Sequence, residues 1–235
     1  MRSLLSNIRW KPEALASKRI LGYDDVTRIP GGTSNEPLVD VQFFDASIIA
    51  QYNKYDMLPY TGERILVRRE LAKRLAAVNR NLQKQGLTLK VVYGYRHPEV
   101  QETYFKNHKE RLSQESPPLS EARLNRLTHN FVAVPDVAGH PTGGAVDLSI
   151  VDNEGNDIDM GTPIADYTDP ERIRTFTAEL TDQQTQYRKL LHDAMVTQGF
   201  APFYGEWWHF SYGDREWAAF YGKKTALYGA ISWNK

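Results

Sequence analysis

Apolar residues recur along this chain at two different periods, and the changes between them mark out its elements. From Arg68 to Gln85, Leu71, Leu75, Val78 and Leu82 return at helical spacing, and Gly86 stands where a helix-ending glycine belongs. Leu87, Leu89, Val91 and Tyr93 then alternate with their neighbours, which predicts a strand over 87–95. Pro98 suits a first helical position, and Val100, Tyr104, His108 and Leu112 share one side of the helix it opens. Val39, Val41 and Phe43 alternate as well and predict an earlier strand. In Ala145–Val151, a further strand, Val146, Leu148 and Ile150 face one way while Ala145, Asp147 and Ser149 face the other. A last helix starts at Thr181, which forms a capping box with Gln184. It is expected to bury Tyr187, Leu190, Leu191 and Ala194 and to end at Gly199. A strand is expected within Phe200–Phe210.

The connecting stretches are irregular. Residues 30–35 and 160–170 read as loops and 152–156 as a turn, while 113–139 is broken at Pro117-Pro118 with a short helix after Ser120. Long helices between non-adjacent strands predict an α+β fold, a central antiparallel sheet flanked by helices rather than a doubly wound parallel one. At 235 residues, one domain over 1–235 is the simplest organisation, and no internal repeat is visible.

Composition narrows the partners. Twenty-nine basic and 29 acidic side chains cancel, and no basic run carries interleaved aromatics, so nucleic acid and anionic lipid are not expected partners. A small, locally recognised molecule is. There is no cysteine, which removes disulfides and thiolate metal sites. No apolar run is long enough to span a bilayer, and Leu4-Leu5 is too short for a signal-peptide core. A cytoplasmic location is therefore expected, with a periplasmic one open to a chain trimmed of its signal.

The candidate chemistry lies in two motifs, His140-Pro-Thr-Gly-Gly-Ala-Val-Asp147 and Glu206-Trp207-Trp208-His209. Two imidazoles and a carboxylate suit a zinc site that keeps its fourth position for water, and a spare glutamate is then placed to take a proton. Asp147 is flanked on its face by small residues that leave room for a metal, and Gly143-Gly144 lets the backbone bring His140 round. Each residue also has a plainer reading: Asp147 as a turn cap or an arginine partner, His140 as a surface loop residue, Trp207-Trp208 as an aromatic patch. Glu206 and His209 are three apart, so an extended strand would point them to opposite faces. Serving one site requires a bend or bulge there, or approach of Glu206 to the metal through a water. Arg96 ends a predicted strand, where paired donors could hold a carboxylate or a developing oxyanion, a surface ion pair being the alternative. His97, His108, His129 and His192 carry no comparable pattern.

Gly94-Tyr95-Arg96, His140-x-x-Gly143-x-Ala145-x-Asp147, Met160-Gly161-Thr162-Pro163, Gly199-Phe200 and Glu206-Trp207-Trp208-His209, in that order, resemble the zinc D-alanyl-D-alanine dipeptidases. These form the VanX-like branch of peptidase family M15, with the hedgehog/D,D-peptidase fold, and the resemblance runs over roughly residues 38–212. It implies one Zn2+ per chain on His140, Asp147 and His209, with Glu206 as general base and Arg96 stabilising the transition state. It also implies that Asp166 holds the ammonium group of a small dipeptide, D-alanyl-D-alanine or a related one. Two departures stand out: Ala138 where many relatives have serine, and His97 inserted between Arg96 and Pro98. The rivals are a zinc D,D- or L,D-carboxypeptidase acting on peptidoglycan peptides and a non-catalytic zinc-binding module, which would be expected to lose Glu206 or Arg96. Residues 1–37 and 213–235 lie outside the resemblance.

Overall fold

The computed structural model describes residues 18–115 and 118–233. A five-stranded sheet runs through the molecule in the order β2 (Ile49–Ala50), β4 (Thr88–Tyr93), β5 (Ala145–Val151), β7 (His209–Ser211), β6 (Ala201–Pro202). Its central pairings are antiparallel, as expected for the α+β class, but the edge strand β2 pairs parallel to β4. A separate antiparallel pair joins β1 (Leu38–Asp40) to β3 (Leu66–Arg68), and the short helix α3 (Leu58–Thr61) lies between β2 and β3 in the chain.

Helix α4 (Arg69–Gln83) packs on β4 and on α7 (Asp182–Thr197), which also covers β6. The alternation in β5 decides which face meets them. Val146, Leu148 and Ile150 join the main core with Leu71, Leu75, Val78 and Leu82 of α4 and with Leu191 and Met195 of α7. Each such fully buried aliphatic side chain contributes about 1.5–3 kcal/mol, so this seam is the main source of stability. One polar group crosses it: Asn79 of α4 accepts from the Leu89 amide at 2.9 Å and donates to Ser47 Oγ at 2.9 Å. The opposite face of β5, with Ala145, Asp147 and Ser149, is left for chemistry. On the remaining side α5 (Pro98–Glu115) packs against α6 (Glu121–His129), whose N-terminus is capped by Ser120.

Some elements depart from the expectation. The strand expected over Val39, Val41 and Phe43 stops at Asp40, because the Asp40 carboxylate caps the Gln42 and Phe43 amides. A helical turn, α2 (Val41–Phe44), follows and leaves Phe43 93% exposed. The capping box at Thr181 forms as expected. The α7 helix is turned further than the pattern implied: it buries Gln184, Arg188, Leu191, His192, Met195 and Val196, with Tyr187, Leu190 and Ala194 only half-buried. Arg188 is the reason. Its guanidinium donates to the Met160 carbonyl at 2.7 Å and the Arg172 carbonyl at 2.9 Å, so the irregular 160–174 segment is tied down over it.

The flanking segments also pack in. Val26, on the short helix α1 (Tyr23–Val26), joins a cluster with Val134 and Val137. Tyr228 is buried and donates to Glu36, and the Tyr95 hydroxyl donates to the Ile231 carbonyl. Among the described residues no helix is long and apolar enough to cross a membrane. The expectation for residues 1–17 lies outside the described residues.

Candidate active site

Three strands and one turn converge on the site. Asp147 in the middle of β5 stands opposite Tyr93 of β4 on one side and His209 of β7 on the other. Directly paired residues project from one face, so a single row carries all three side chains. His140 arrives from a 3-10 turn (His140–Thr142) immediately before β5. The turn closes at Gly143, whose φ of 72° lies in the left-handed region, and a Cβ there would meet the Leu38 side chain at 2.4 Å.

The donor atoms of His140, Asp147 and His209 all lie within 4.8 Å of one another. His140 Nε2 is 3.4 Å from Asp147 Oδ2, and His209 Nδ1 is 2.9 Å from Asp147 Oδ1. Two donors on a tetrahedral zinc with bonds of about 2.0–2.1 Å sit roughly 3.4 Å apart, so the grouping needs only small adjustments to hold the ion. The other ring nitrogens support this orientation. His140 Nδ1 donates to the Gly94 carbonyl at 2.7 Å, which leaves Nε2 as the free donor. Gly94 suits this place because a Cβ would come within 2.5 Å of the Leu66 carbonyl oxygen. His209 Nε2 faces Glu216 Oε2 at 3.7 Å, an ion-pair separation rather than a hydrogen bond. Two imidazoles and a carboxylate with no thiolate fit a catalytic zinc site.

Burial and charge tune these groups. Burial pushes the His140 imidazole down to about 4. For His209 burial works the same way, but the hydrogen bond to Asp147 and the Glu216 carboxylate outweigh it and lift the group to about 10. Burial would raise Asp147, yet the two imidazoles hold it well below the usual carboxylate range. A dication entering the cluster therefore competes with a proton on His209, and binding strengthens as pH rises.

Glu206 is buried but does not belong to the ligand grouping. Its backbone resolves the parity problem. The Glu206 amide donates to the Phe203 carbonyl at 3.0 Å and the His209 amide to the Glu206 carbonyl at 3.2 Å, so consecutive turns replace an extended strand between β6 and β7. Burial pushes the Glu206 carboxyl up to about 8, with His209 opposing, Asp147 and Glu216 reinforcing, and the Tyr167 hydroxyl drawing it slightly back down. A carboxyl so displaced can exchange a proton near neutrality. Trp207 and Trp208 are core residues, and Trp207 Nε1 donates to Thr162 Oγ1 at 2.9 Å.

Arg96 lies just beyond β4, and its amide donates to the His140 carbonyl at 3.2 Å. The guanidinium lies 4.6 Å from the Tyr93 ring centroid and 5.0 Å from that of Tyr104, and Nη1 donates to Gln101 Oε1 at 2.9 Å. Its Nε is buried without a hydrogen-bond partner among the described residues, a donor left over for a bound group. Asp56 anchors the aromatic pair, accepting from both tyrosine hydroxyls.

Two cavities meet at Arg96, Asp147 and Tyr167. The smaller, about 70 Å³, is also lined by His140, His209, Glu206 and Glu216, and the larger, about 320 Å³, extends past Lys54, Tyr104 and Arg111. Ala138, the position of the missing serine, is on the wall of the smaller one. Asp166 is not brought to either. Its carboxylate accepts from the Thr168 amide at 3.1 Å and hydroxyl at 2.8 Å, while its neighbours Ala165 and Tyr167 line the larger cavity. His97 stacks on Tyr60 at 4.0 Å between centroids, and Arg96 stays at the site despite the insertion.

Sequence reading did not find Glu216, Tyr167 or Gln101. Glu216 sits in the first turn of α8 (Arg215–Phe220), behind the capping residue Asp214, where an acid ordinarily answers the helix dipole. Its aim at His209 has no local signature.

The chain matches a D-alanyl-D-alanine dipeptidase of Synechocystis sp. at 34% identity over 107 residues, 39% of this chain and 43% of the relative. It matches one of Escherichia coli (strain K12) at 33% over 73 residues, 31% of this chain and 37% of the relative. The matched stretches thus take in less than half of either relative. VanYB in complex with D-alanine-D-alanine aligns over 72% of this chain and 83% of its own, with a TM-score of 0.44 and 16% identity. The family model for peptidase family M15, described as D-ala-D-ala dipeptidase, matches residues 38–226, a span that includes His140, Asp147, His209 and Glu216; the chain belongs to that family.

Proposed function

We propose that this chain is a zinc metallopeptidase that hydrolyses D-alanyl-D-alanine or a related free dipeptide. The observation that carries the reading is the grouping of His140, Asp147 and His209 on one cavity that Glu206 and Arg96 also line. Family membership supports it.

Zinc, when held by these three residues, lowers the pKa of a coordinated water and polarises the scissile carbonyl. Glu206, buried and poised near neutrality, takes a proton at its carboxylate from the attacking water and returns it to the leaving amine. Tyr167 lines the same cavity as that carboxyl. Arg96 offers its unfilled Nε donor to the oxygen that becomes negative as the carbonyl is attacked. Phe131, Val132 and Phe203 wall the smaller cavity with apolar surface and keep bulk water from the proton transfer.

The test is the pair of Glu206→Ala and His209→Ala. Glu206→Ala should lower turnover about 10²–10⁴-fold while close to one zinc per chain remains, because its carboxylate is not a ligand. His209→Ala should lose the metal itself. Loss of zinc in Glu206→Ala would make that residue a ligand and overturn the assignment.

Action as a carboxypeptidase on longer cell-wall peptides is the second reading. The position of Asp166, outside both cavities, favours it by leaving a free ammonium group without its expected partner. Comparable rates on D-alanyl-D-alanine and its N-acylated form would support this reading, and a strict need for the free amine would exclude it. In either case the substrate is a small peptide, and the proposed compartment is the cytoplasm, which fractionation tests.

A further inference from the structure

The larger cavity has a lopsided charge. Lys54, Arg96 and Arg111 line it, and among the described residues lining it Asp147 is the only carboxylate. Asp147 is already committed to His140 and His209. Three carboxylates close in the chain to lining residues are engaged elsewhere: Asp56 with the Tyr93 and Tyr104 hydroxyls, Glu110 with Lys106 at 3.9 Å, and Asp166 with Thr168. Ala165, held at a left-handed φ of 59°, fills the wall position beside Asp166 with a methyl group.

Lys54 and Arg111 themselves have no carboxylate partner among the described residues. Lys54 Nζ lies 5.2 Å from the Tyr104 ring centroid, and Arg111 Nη2 lies 3.2 Å from His108 Nδ1. Two cations without a carboxylate partner among the described residues, lining one concave site together with Arg96, focus a positive field on whatever enters. An ammonium group there would meet like charge, with Asp147 the only carboxylate among the described lining residues. A carboxylate would find two donors.

Resting on the peptidase reading above, we propose that the larger cavity selects a carboxylate on the substrate, with Lys54 and Arg111 as the specificity-determining residues. That carboxylate is either the side chain of an acidic residue or the free terminus of the peptide. The two sources are separable. The zinc-loaded full-length protein and a Lys54→Gln/Arg111→Gln variant are compared on D-alanyl-D-alanine, on its C-terminal amide, and on dipeptides with D-glutamate at either position. In the wild type the substrate with the recognised carboxylate should lead in kcat/KM. In the variant that lead should shrink about tenfold, chiefly through KM, at a few-fold for each rim ion pair lost. The ratio that collapses, acidic over neutral or acid over amide, names the source. A Lys54→Glu/Arg111→Glu variant should turn the preference towards dipeptides carrying D-lysine.

Equal ratios in wild type and both variants would overturn the proposal while leaving the peptidase reading intact. Binding to the zinc-loaded Glu206→Ala protein, measured by calorimetry, separates the two in the other direction. Carboxylate-dependent binding that needs Lys54 and Arg111, with no turnover in the wild type, would sink the peptidase reading and keep the subsite. Binding that ignores both cations would sink the subsite.

Discussion

The two cavities share Arg96, Asp147 and Tyr167 and differ in size and charge. The smaller, about 70 Å³, is closed over by Glu206, Glu216 and the two histidines, and its acidic and basic groups are displaced far from their ordinary pKa values. The larger, about 320 Å³, is lined by Lys54 and Arg111, both exposed, with no carboxylate partner for either among the described residues. The first is suited to moving protons, since burial raises a carboxyl into the neutral range only where water is scarce. The second is suited to recognising a charged group, since solvated rim cations attract without being neutralised. Reaction and recognition are thus divided between two spaces, with Arg96 serving both.

Substitutions can break this division, and the largest effect is expected at the shared wall. Arg96→Ala removes a transition-state donor worth roughly 3 kcal/mol, so turnover should fall ~100-fold or more with zinc still bound. Unchanged turnover would refute the role, and loss of metal would make Arg96 a support for the His140 turn instead. A smaller effect is expected from Glu216→Ala, which leaves His209 Nε2 without its facing carboxylate. Its zinc affinity, read by competition with a chelator, should weaken about 10–100-fold, and an unchanged affinity would remove Glu216 from the site.

A third effect, on stability and not on turnover or zinc, concerns His129, which also lines the smaller cavity. Burial pushes its pKa down to about 4 from an ordinary 6.5, and its neutral Nδ1 accepts from the Val134 amide at 3.2 Å. Between those pH values the unfolded chain binds more protons than the folded one. The stability from a neutral His129 is therefore complete above about pH 6.5 and is lost as pH falls towards 4, by at most on the order of 3 kcal/mol. Urea unfolding across this range should show a shallower decline in His129→Gln than in the wild type. Parallel declines would show that the titration lies elsewhere.

Much of the site was legible because its parts sit on regular elements. Asp147 lies on a strand whose alternation is plain, and its row partner His209 follows from pairing that strand with β7; Tyr93, expected on the same face as Val91, joins the row only because the register of β4 shifts between Val91 and Tyr93. The conflict between Glu206 and His209 on an extended strand pointed to a bend, and consecutive turns are there. The misread parts sit where local rules compete. Asp40 extends a strand by its neighbours' alternation, but its side chain caps a helical turn instead. Asp166 is placed by a loop, where the residue before or after can face the cavity equally well, and here it is Ala165 and Tyr167 that do.

Sequence by itself determined the elements, the ligand types and the need for a bend before His209, because periodicity, capping and donor chemistry act over a few residues. Tertiary structure alone decided that Glu216 would face His209, that Asp166 would turn to Thr168, and that Lys54 and Arg111 would rim one cavity with Arg96. Those outcomes depend on where separate segments meet in space, and a charge seven positions beyond a ligand or more than forty positions before Arg96 leaves no periodic trace of its target.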